Sequence, residues 1–160
     1  MRSPLNRSAI VRRRLLGPMA ERFGRRVTVV EAGAGFGKTT LIGQAVVEAT
    51  EQGLGVDVVV RTPRRGLDRH GLLERLDDGL RRVGATAPAD DERGIADAVW
   101  VLSPTHCCIV IDDAHRLTAD AADVVLHLLD VLPANGHVLI SARPAPGGLS
   151  QRLLDTDLMR

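Results

Sequence analysis

The sequence predicts an α/β protein of three layers, in which helices cover both faces of one mainly parallel sheet with four recognisable strands. Strand-like runs alternate with helical patterns along the chain. The runs are continuously apolar, which is typical of parallel strands buried on both faces. A glycine-rich loop separates the first strand from the next helix. With 160 residues, the chain is long enough for one domain with a sizeable core.

The first half of the chain predicts two helices and two strands. Residues 8–23 have helical periodicity, which Gly17 and Pro18 are expected to kink or divide. Residues 26–32 contain the β-branched run of the first strand, and residues 56–60 contain that of the second. Between them, residues 39–51 predict a helix that ends at Gly53.

The second half continues the alternation. The strongest amphipathic pattern predicts a helix over residues 67–83, with Leu72, Leu76 and Leu80 on its apolar face. After a loop at residues 84–91, further helices are predicted over residues 92–102 and 117–132 and from about Leu149, and further strands over residues 107–111 and 138–142. Ligands of parallel sheets bind where the strands end. We therefore expect functional residues just after Val30, Val60, Ile111 and Ala142.

The loop after the first strand matches a phosphate-binding P-loop. It fits the pattern small-x-x-x-x-Gly-Lys-Ser/Thr, with Ala32 where glycine is more usual. Lys38 is the only lysine of the chain and is expected to reach the β- and γ-phosphates, and Thr39 to ligate Mg²⁺. The alternative is a glycine-rich turn that arose by chance. The residues expected to cradle phosphate, through backbone N–H groups and the helix N-terminus, are Ala34, Gly35, Phe36, Gly37, Lys38, Thr39 and Thr40.

The third strand ends in two carboxylates, Asp112 and Asp113, which is the Walker B pattern. Asp112 is expected to hold Mg²⁺, and Asp113 to orient or deprotonate the attacking water. Aspartate is one methylene shorter than the glutamate usual in fast ATPases, which makes the role of Asp113 as a base less secure. The alternative for this pair is a polar strand end without chemistry.

Two more side chains follow the third and fourth strands. His115 either senses phosphate, orients Asp113 or caps the next helix. Arg143 ends the fourth strand, where an arginine can contact the γ-phosphate and act as a catalytic residue; otherwise it is a solvated loop residue.

Composition excludes several classes of protein. The net charge is +1, so no global field favours nucleic acid or membrane. Arg12–Arg14 and Arg64–Arg65 are basic but lack interleaved aromatic residues, which argues against direct DNA binding.

The sequence contains no run near the roughly 18 apolar residues of a membrane span and no secretory signal. The only cysteines, Cys107 and Cys108, are adjacent and unsuited to a mutual disulfide. A cytoplasmic location is expected.

These motifs together resemble the ATPase module of STAND-class signal-transduction NTPases, most closely the large ATP-binding LuxR-type transcriptional regulators. The resemblance rests on residues 32–41, on Ile109-Val-Ile-Asp-Asp-Ala-His115 and on residues 128–143 with their Ser-Ala-Arg end. Origin-recognition-like AAA ATPases are nearly as similar. The resemblance implies an additional-strand (ASCE) fold, ATP or ADP with Mg²⁺, and a base contact at Ile10 or Val11. Family members usually carry a small polar residue and a proline at the positions of Glu31 and Gly33, and we expect Glu31 to point away from phosphate.

The resemblance also predicts how the chain is organised. Residues 1–160 are expected to form one P-loop domain: a lead-in and helix (1–25), a nucleotide-binding core (26–143) and the start of a missing C-terminal part (144–160). The family fold has a fifth strand beside the first, in the order 5-1-4-3-2, then a lid. Without that strand the first strand becomes an edge, so self-association or pairing with missing domains is expected.

The expected function is an ATP-binding module that hydrolyses ATP slowly and acts as a nucleotide-dependent switch in transcriptional regulation or signal transduction. One alternative is an origin-recognition-like AAA ATPase that works in an oligomer, with Arg116 or Arg152 as an arginine finger. Another is a nucleotide-binding interaction module without turnover. ATP is favoured over GTP by the resemblance, and the sequence has no Asn/Thr-Lys-x-Asp string of the kind that reads guanine.

Overall fold

A computed structural model describes residues 13–155, except for the side chains of Arg13 and Leu154. Four parallel strands form one sheet in the order β1-β4-β3-β2. This arrangement confirms the predicted three-layer α/β fold and places β1 at an edge of the sheet. The strands are β1 (Val27–Glu31), β2 (Val56–Arg61), β3 (Cys107–Asp112) and β4 (Gly136–Ala142).

Helices cover the sheet on both faces. The helices are α1 (Arg13–Ala20), α2 (Lys38–Gln52), α3 (Arg69–Arg82), α4 (Glu92–Val101), α5 (Ala119–Val131) and α6 (Leu149–Leu154), and short 3₁₀ turns lie at Glu21–Gly24 and Ala114–Arg116. The predicted helix over residues 8–23 therefore ends in a 3₁₀ turn, and its first residues lie outside the described part of the chain. No helix among residues 13–155 is long and apolar enough to cross a membrane.

Side chains of β3 alternate between two hydrophobic clusters, as expected for a strand buried on both faces. Ile109 and Ile111 belong to the larger cluster, which packs the sheet against α3, α4 and α5. Cys108 and Val110 belong to the smaller one, which packs it against α1 and α2. Burial raises the pKa of the Cys107 thiol to about 12, so this thiol is unreactive at neutral pH.

Capping residues explain where two helices begin. Asp68 precedes α3 and its Oδ1 accepts a hydrogen bond from the N–H of Gly71 at 2.9 Å. Asp91 caps α4 in the same way, through the N–H of Gly94 at 2.7 Å. The sequence predicted that the first of these helices would start at Leu67. It starts two residues later because Leu67 instead forms a parallel bridge with Leu117.

The surface of the described residues carries two well-exposed aromatic rings. Phe36 in the loop after β1 and Trp100 near the end of α4 are each 63% exposed. They lie in different parts of the chain, since Phe36 adjoins the predicted phosphate site and Trp100 does not.

Candidate nucleotide site at the carboxyl ends of the strands

The loop between β1 and α2 has the backbone conformation that the P-loop pattern requires. Gly35 and Gly37 adopt φ values of 78° and 74°, a left-handed region that other residues enter at a cost. Gly37 is the N-cap of α2, so the helix begins at Lys38 with unpaired N–H groups in its first turn. The loop therefore directs a helix N-terminus toward the carboxyl edge, by which we mean the side of the sheet where all four strands end.

Lys38 is 8% exposed and its ammonium folds back onto the loop. Its Nζ donates to the carbonyl oxygens of Ala32 at 2.6 Å and Gly33 at 2.9 Å. These two contacts keep a buried positive charge hydrogen-bonded at the point where the sequence predicts phosphate. A phosphate oxygen would compete directly with these carbonyls for the same ammonium protons.

Thr39 and Asp112 meet although 73 residues separate them in sequence. Thr39 Oγ1 donates to Asp112 Oδ2 at 2.7 Å, and Asp112 is almost fully buried. This contact joins the first turn of α2 to the end of β3. The structure thus brings together the two oxygen donors that the sequence assigns to Mg²⁺.

Ser141 is a buried member of the site whose role sequence reasoning missed. Its hydroxyl donates to Asp112 Oδ1 and accepts the backbone N–H of Asp113 at 3.0 Å. Ser141 lies in β4, next to β3, and so fixes both carboxylate residues from the neighbouring strand. The available signal was a serine after the apolar run Val138–Ile140 of β4, at a position that reaches the carboxyl edge.

Asp113 has an unusual backbone. With φ 58° and ψ 41° it is the only non-glycine residue among residues 13–155 with a positive φ. Its Oδ2 pairs with Arg116 Nη1 at 3.3 Å. Such a conformation costs free energy and persists where the surroundings enforce it, as they do at many functional sites.

His115 connects the end of β3 to the end of β4. Its Nδ1 accepts the backbone N–H of Arg143 at 3.3 Å. Burial, together with the nearby cations Arg116, Arg143 and Lys38, lowers the pKa of His115, while Asp113 opposes this shift. A neutral imidazole with its proton on Nε2 agrees with both the hydrogen bond and the direction of the shift.

The other predicted site residues are less well connected. The guanidinium of Arg143 is exposed and has no ion pair among the described residues, so only its backbone joins the site. Thr40 and the tip residues Ala34, Gly35 and Phe36 are also exposed. Val11 and Ile10, predicted to contact a base, lie outside the described residues.

A cavity of about 370 Å³ adjoins Lys38 on the open side of β1. Thr28 lines it with a buried hydroxyl that has no partner within residues 13–155. Glu31 also lines it, and its carboxylate accepts a hydrogen bond from Ser150 in α6 at 3.1 Å. The apolar part of its wall comes from Leu15, Pro18, Met19, Phe36 and Leu41.

Comparison with solved structures shows that this three-layer fold is similar to that of Cdc6p and of chains in ORC structures. Cdc6p from Pyrobaculum aerophilum aligns with 96% of this chain at a TM-score of 0.62 and 13% identity. A chain from the structure of Drosophila ORC bound to AT-rich DNA and Cdc6 covers 91% at a TM-score of 0.57 and 16% identity. Another chain, from the structure of Drosophila ORC bound to DNA, aligns with 91% of this chain at a TM-score of 0.56 and 16% identity.

These similarities concern the fold and part of each relative. The chain spans 44% of the Pyrobaculum protein, and 47% and 78% of the two Drosophila chains. No model of a protein family and no curated protein matches the sequence.

Proposed function

We propose that this chain is an ATP-binding module that hydrolyses ATP slowly and acts as a nucleotide-dependent regulatory switch. The observation that carries the proposal is the contact between Thr39 and Asp112 at 2.7 Å. It brings the P-loop and the two carboxylates that end β3 together at one edge of the sheet. Both are needed, since the loop supplies phosphate binding and the carboxylates supply metal and water positioning.

The donor set fits Mg²⁺ bound together with a nucleotide. Among the described residues, no group of three or more His, Cys, Asp or Glu side chains could hold a metal ion. Mg²⁺ at phosphate-transfer sites needs fewer protein ligands, because it takes one or two protein oxygens together with phosphate oxygens and waters. Thr39 Oγ1 and Asp112 Oδ2 would supply these, and the bound ion would neutralise charge on the β- and γ-phosphates.

The remaining parts of a nucleotide also have partners in this proposal. Lys38 would exchange the carbonyls of Ala32 and Gly33 for phosphate oxygens, which keeps its charge paired in both states. The apolar cavity between Leu15 and Phe36 suits a purine base, and Thr28 offers it a hydroxyl. Val11, predicted from the family resemblance, precedes α1 in the chain and remains a candidate for the same contact.

Hydrolysis would use Asp113 to orient a water molecule. The water oxygen forms a bond to the γ-phosphorus while the bond from that phosphorus to the bridging oxygen breaks, so ADP leaves and the proton passes to the phosphate product or to solvent. Lys38 stabilises the charge that develops, and Arg143 is the candidate for a further γ-phosphate contact. We expect slow turnover because aspartate is one methylene shorter than glutamate and reaches less far toward the attacking water.

The regulatory part of the proposal rests on the resemblance to STAND-class LuxR-type regulators. Proteins of that class couple nucleotide state to assembly, which requires a second conformational state. The partners of such a switch would be further domains or copies of the chain, and the open edge of β1 offers a place for strand pairing. We therefore propose transcriptional regulation or signal transduction as the setting.

An oligomeric AAA-type ATPase is the second candidate, because the solved structures with this fold include ORC together with Cdc6. Such an assembly needs an arginine offered to a neighbouring subunit. Arg116 pairs with Asp113 and Arg152 with Asp123, both within this chain. Both guanidinium groups are therefore already paired with a carboxylate of the same chain, which favours the switch over the oligomeric ATPase.

Calorimetric titration of Mg-ATP and Mg-ADP into the purified chain tests the proposal. We expect dissociation constants on the order of micromolar, and Lys38→Ala should weaken binding by about 100-fold or more through loss of a charge-assisted contact. Arg82→Ala is the matched control, since it removes one exposed positive charge from the end of α3 and should leave affinity unchanged. A folded wild type that binds neither nucleotide contradicts the proposal.

Phosphate release then separates a hydrolase from a binding module without turnover. Asp113→Asn should keep nucleotide affinity and lower the rate of phosphate release by about 100-fold, because general-base and water-orienting groups contribute on this scale. If the wild type binds Mg-ATP but releases no phosphate over many hours, the chain is an interaction module controlled by nucleotide binding alone.

A further inference from the structure

We propose that Arg116 is a positioning residue that orients the carboxylate of Asp113 within the same chain. This inference rests on the proposed hydrolysis and names the group that prepares Asp113 for it. Arg116 Nη1 lies 3.3 Å from Asp113 Oδ2, and both side chains are about a quarter exposed, at 24% and 28%. The pair is thus partly shielded from water, which strengthens it relative to a fully exposed ion pair.

The ion pair occupies only one oxygen of Asp113. Within residues 13–155, the structure gives the other oxygen, Oδ1, no hydrogen-bond partner. An ion pair at one oxygen restricts the rotation of the carboxylate and leaves the other oxygen available as an acceptor. Such an acceptor can orient water, and orientation of this kind contributes strongly to rate.

The backbone on both sides of the ion pair is fixed. The N–H of Arg116 donates to the carbonyl of Asp113 at 3.0 Å, and the N–H of Leu117 donates to that of Ala114 at 3.1 Å. The N–H of Asp113 is held by Ser141. The 3₁₀ turn therefore fixes the backbone positions from which the two side chains approach each other.

The loop after β2 holds the same turn from outside. The N–H of Leu67 donates to the carbonyl of Arg116 at 3.4 Å, and Leu67 forms a bridge with Leu117. Gly66 precedes this contact with φ +90°, and a Cβ atom there would lie 3.2 Å from the Arg116 carbonyl oxygen. Only glycine allows this close approach without strain, so the sequence of the loop is adapted to the turn that carries Arg116.

Arg64 provides the comparison that makes the role of Arg116 specific. It lies in the same loop, it is exposed, and it has no ion pair among the described residues. Its replacement removes the same charge at the same edge of the sheet but leaves the Asp113 carboxylate untouched. A general electrostatic effect would appear in both variants, whereas orientation of Asp113 depends on Arg116 alone.

Steady-state phosphate release with Mg-ATP tests the inference. We expect Arg116→Gln to lower kcat by about 10- to 100-fold with KM nearly unchanged, because the loss falls on orientation in the transition state. Arg116→Lys should recover part of the rate by restoring the charge, and Arg64→Gln should match the wild type. Mg-ADP affinity, measured by calorimetry, should stay the same in all three variants and show that the site is folded.

Several results would overturn the inference. One is a kcat for Arg116→Gln within about twofold of the wild type, and another is a rise in kcat, which would mean that the ion pair withholds Asp113 from water. A change in KM alone would make Arg116 a nucleotide contact. Mixing Arg116→Gln with Asp113→Asn should restore no activity, whereas restoration would show that Arg116 acts on a neighbouring subunit.

The same experiment distinguishes failure of this inference from failure of the proposed function. If the wild type and Arg116→Gln release phosphate at the same rate, the inference is rejected but the proposed hydrolysis stands. Binding of Mg-ATP without any phosphate release by the wild type rejects hydrolysis, and the role of Arg116 with it.

Discussion

Polar side chains lie at both ends of the strands, but their partners differ. At the amino edge, where the strands begin, side chains join separate elements: Arg22 pairs with Asp57 of β2, and His137 of β4 bonds to the carbonyl of Arg25 at 2.7 Å and to His106 at 2.8 Å. At the carboxyl edge, Ser141 and His115 also join neighbouring strands, but within residues 13–155 the ammonium of Lys38 bonds only to its own loop and the carboxylate of Asp113 pairs only within its own turn.

The comparison distinguishes side chains whose contacts stabilise the fold from side chains whose contacts a ligand could replace. Arg22 donates to Asp57 through two nitrogens, at 2.6 and 3.0 Å, and to the carbonyl of Met19 at 2.7 Å. These contacts have no obvious competitor in solution because the two side chains are 1% and 2% exposed. The contacts of Lys38 can be exchanged for phosphate. We therefore expect changes at the amino edge to alter stability and changes at the carboxyl edge to alter binding and turnover.

The largest expected effect comes from breaking the buried ion pair at the amino edge. Arg22→Met leaves the Asp57 carboxylate buried without its partner. Burial raises the pKa of Asp57, and Arg22 opposes that shift by stabilising the charged form, so the variant loses this compensation. We expect a loss of about 3–5 kcal/mol in the free energy of unfolding, measured with urea. Affinity of the folded variant for Mg-ADP should not change.

The control for this variant is Arg25→Met. Arg25 pairs with Glu21 at the surface, with exposures of 63% and 58%, and such pairs contribute at most about 1 kcal/mol. If Arg22→Met fails to fold, Arg22→Met with Asp57→Leu removes the unpaired charge and should restore folding. Equal losses for Arg22→Met and Arg25→Met would remove the distinction between the two edges.

A smaller effect is expected at Asp113, where the carboxyl edge carries backbone strain. Asp113→Gly should be more stable than Asp113→Ala by about 1 kcal/mol, because only glycine enters this left-handed conformation without a penalty. Both variants lose the same carboxylate, so the lost ion pair cancels in the comparison. Urea unfolding of the two variants measures the difference, and equal stability would show that the turn relaxes to an unstrained conformation.

The smallest effect expected is the dependence of stability on pH. Burial lowers the pKa of His137 from its ordinary value of 6.5, although its hydrogen bond to Arg25 opposes the shift. Below about pH 6.5 the unfolded chain therefore binds more protons than the folded one. The contribution of neutral His137 to the free energy of unfolding is therefore fully present above about pH 6.5 and is lost as the pH falls toward the lowered pKa of His137.

Thermal unfolding between pH 7.5 and pH 5.5 measures this dependence. His137→Gln should flatten the profile, since it removes the histidine that is buried at the amino edge. His115→Gln should flatten it less, because His115 is more exposed. A profile unchanged by His137→Gln would contradict a lowered pKa at that position.

The fold could be predicted from the sequence because its signals are local. Apolar β-branched runs locate the strands, and the pattern Gly37-Lys38-Thr39 locates the loop between β1 and α2. Two of the boundary errors lie at Leu67 and Leu117, where both predicted helices start two residues later than expected. These two residues pair with each other across 50 positions, and no periodic pattern in either segment contains that information.

The candidate site was only partly predictable, for the same physical reason. Residue type and position after a strand indicated Lys38, Thr39, Asp112 and Asp113. The bond from Ser141 to Asp112 and the ion pair between Arg116 and Asp113 depend on how neighbouring strands and turns pack. The sequence presents Arg116 only as a basic residue near the site, equally suited to a contact within the chain or to a neighbouring subunit.

Exposure of Trp100 has a consequence for optical measurements. The chain has one tryptophan and no tyrosine, so its near-ultraviolet absorbance and emission come almost entirely from a ring that is 63% exposed on α4. The emission of the native protein should already resemble that of indole in water, and neither nucleotide nor urea should shift it much. Phe36→Trp combined with Trp100→Phe moves the fluorophore to the loop beside Lys38, where its emission reports occupancy of the site directly.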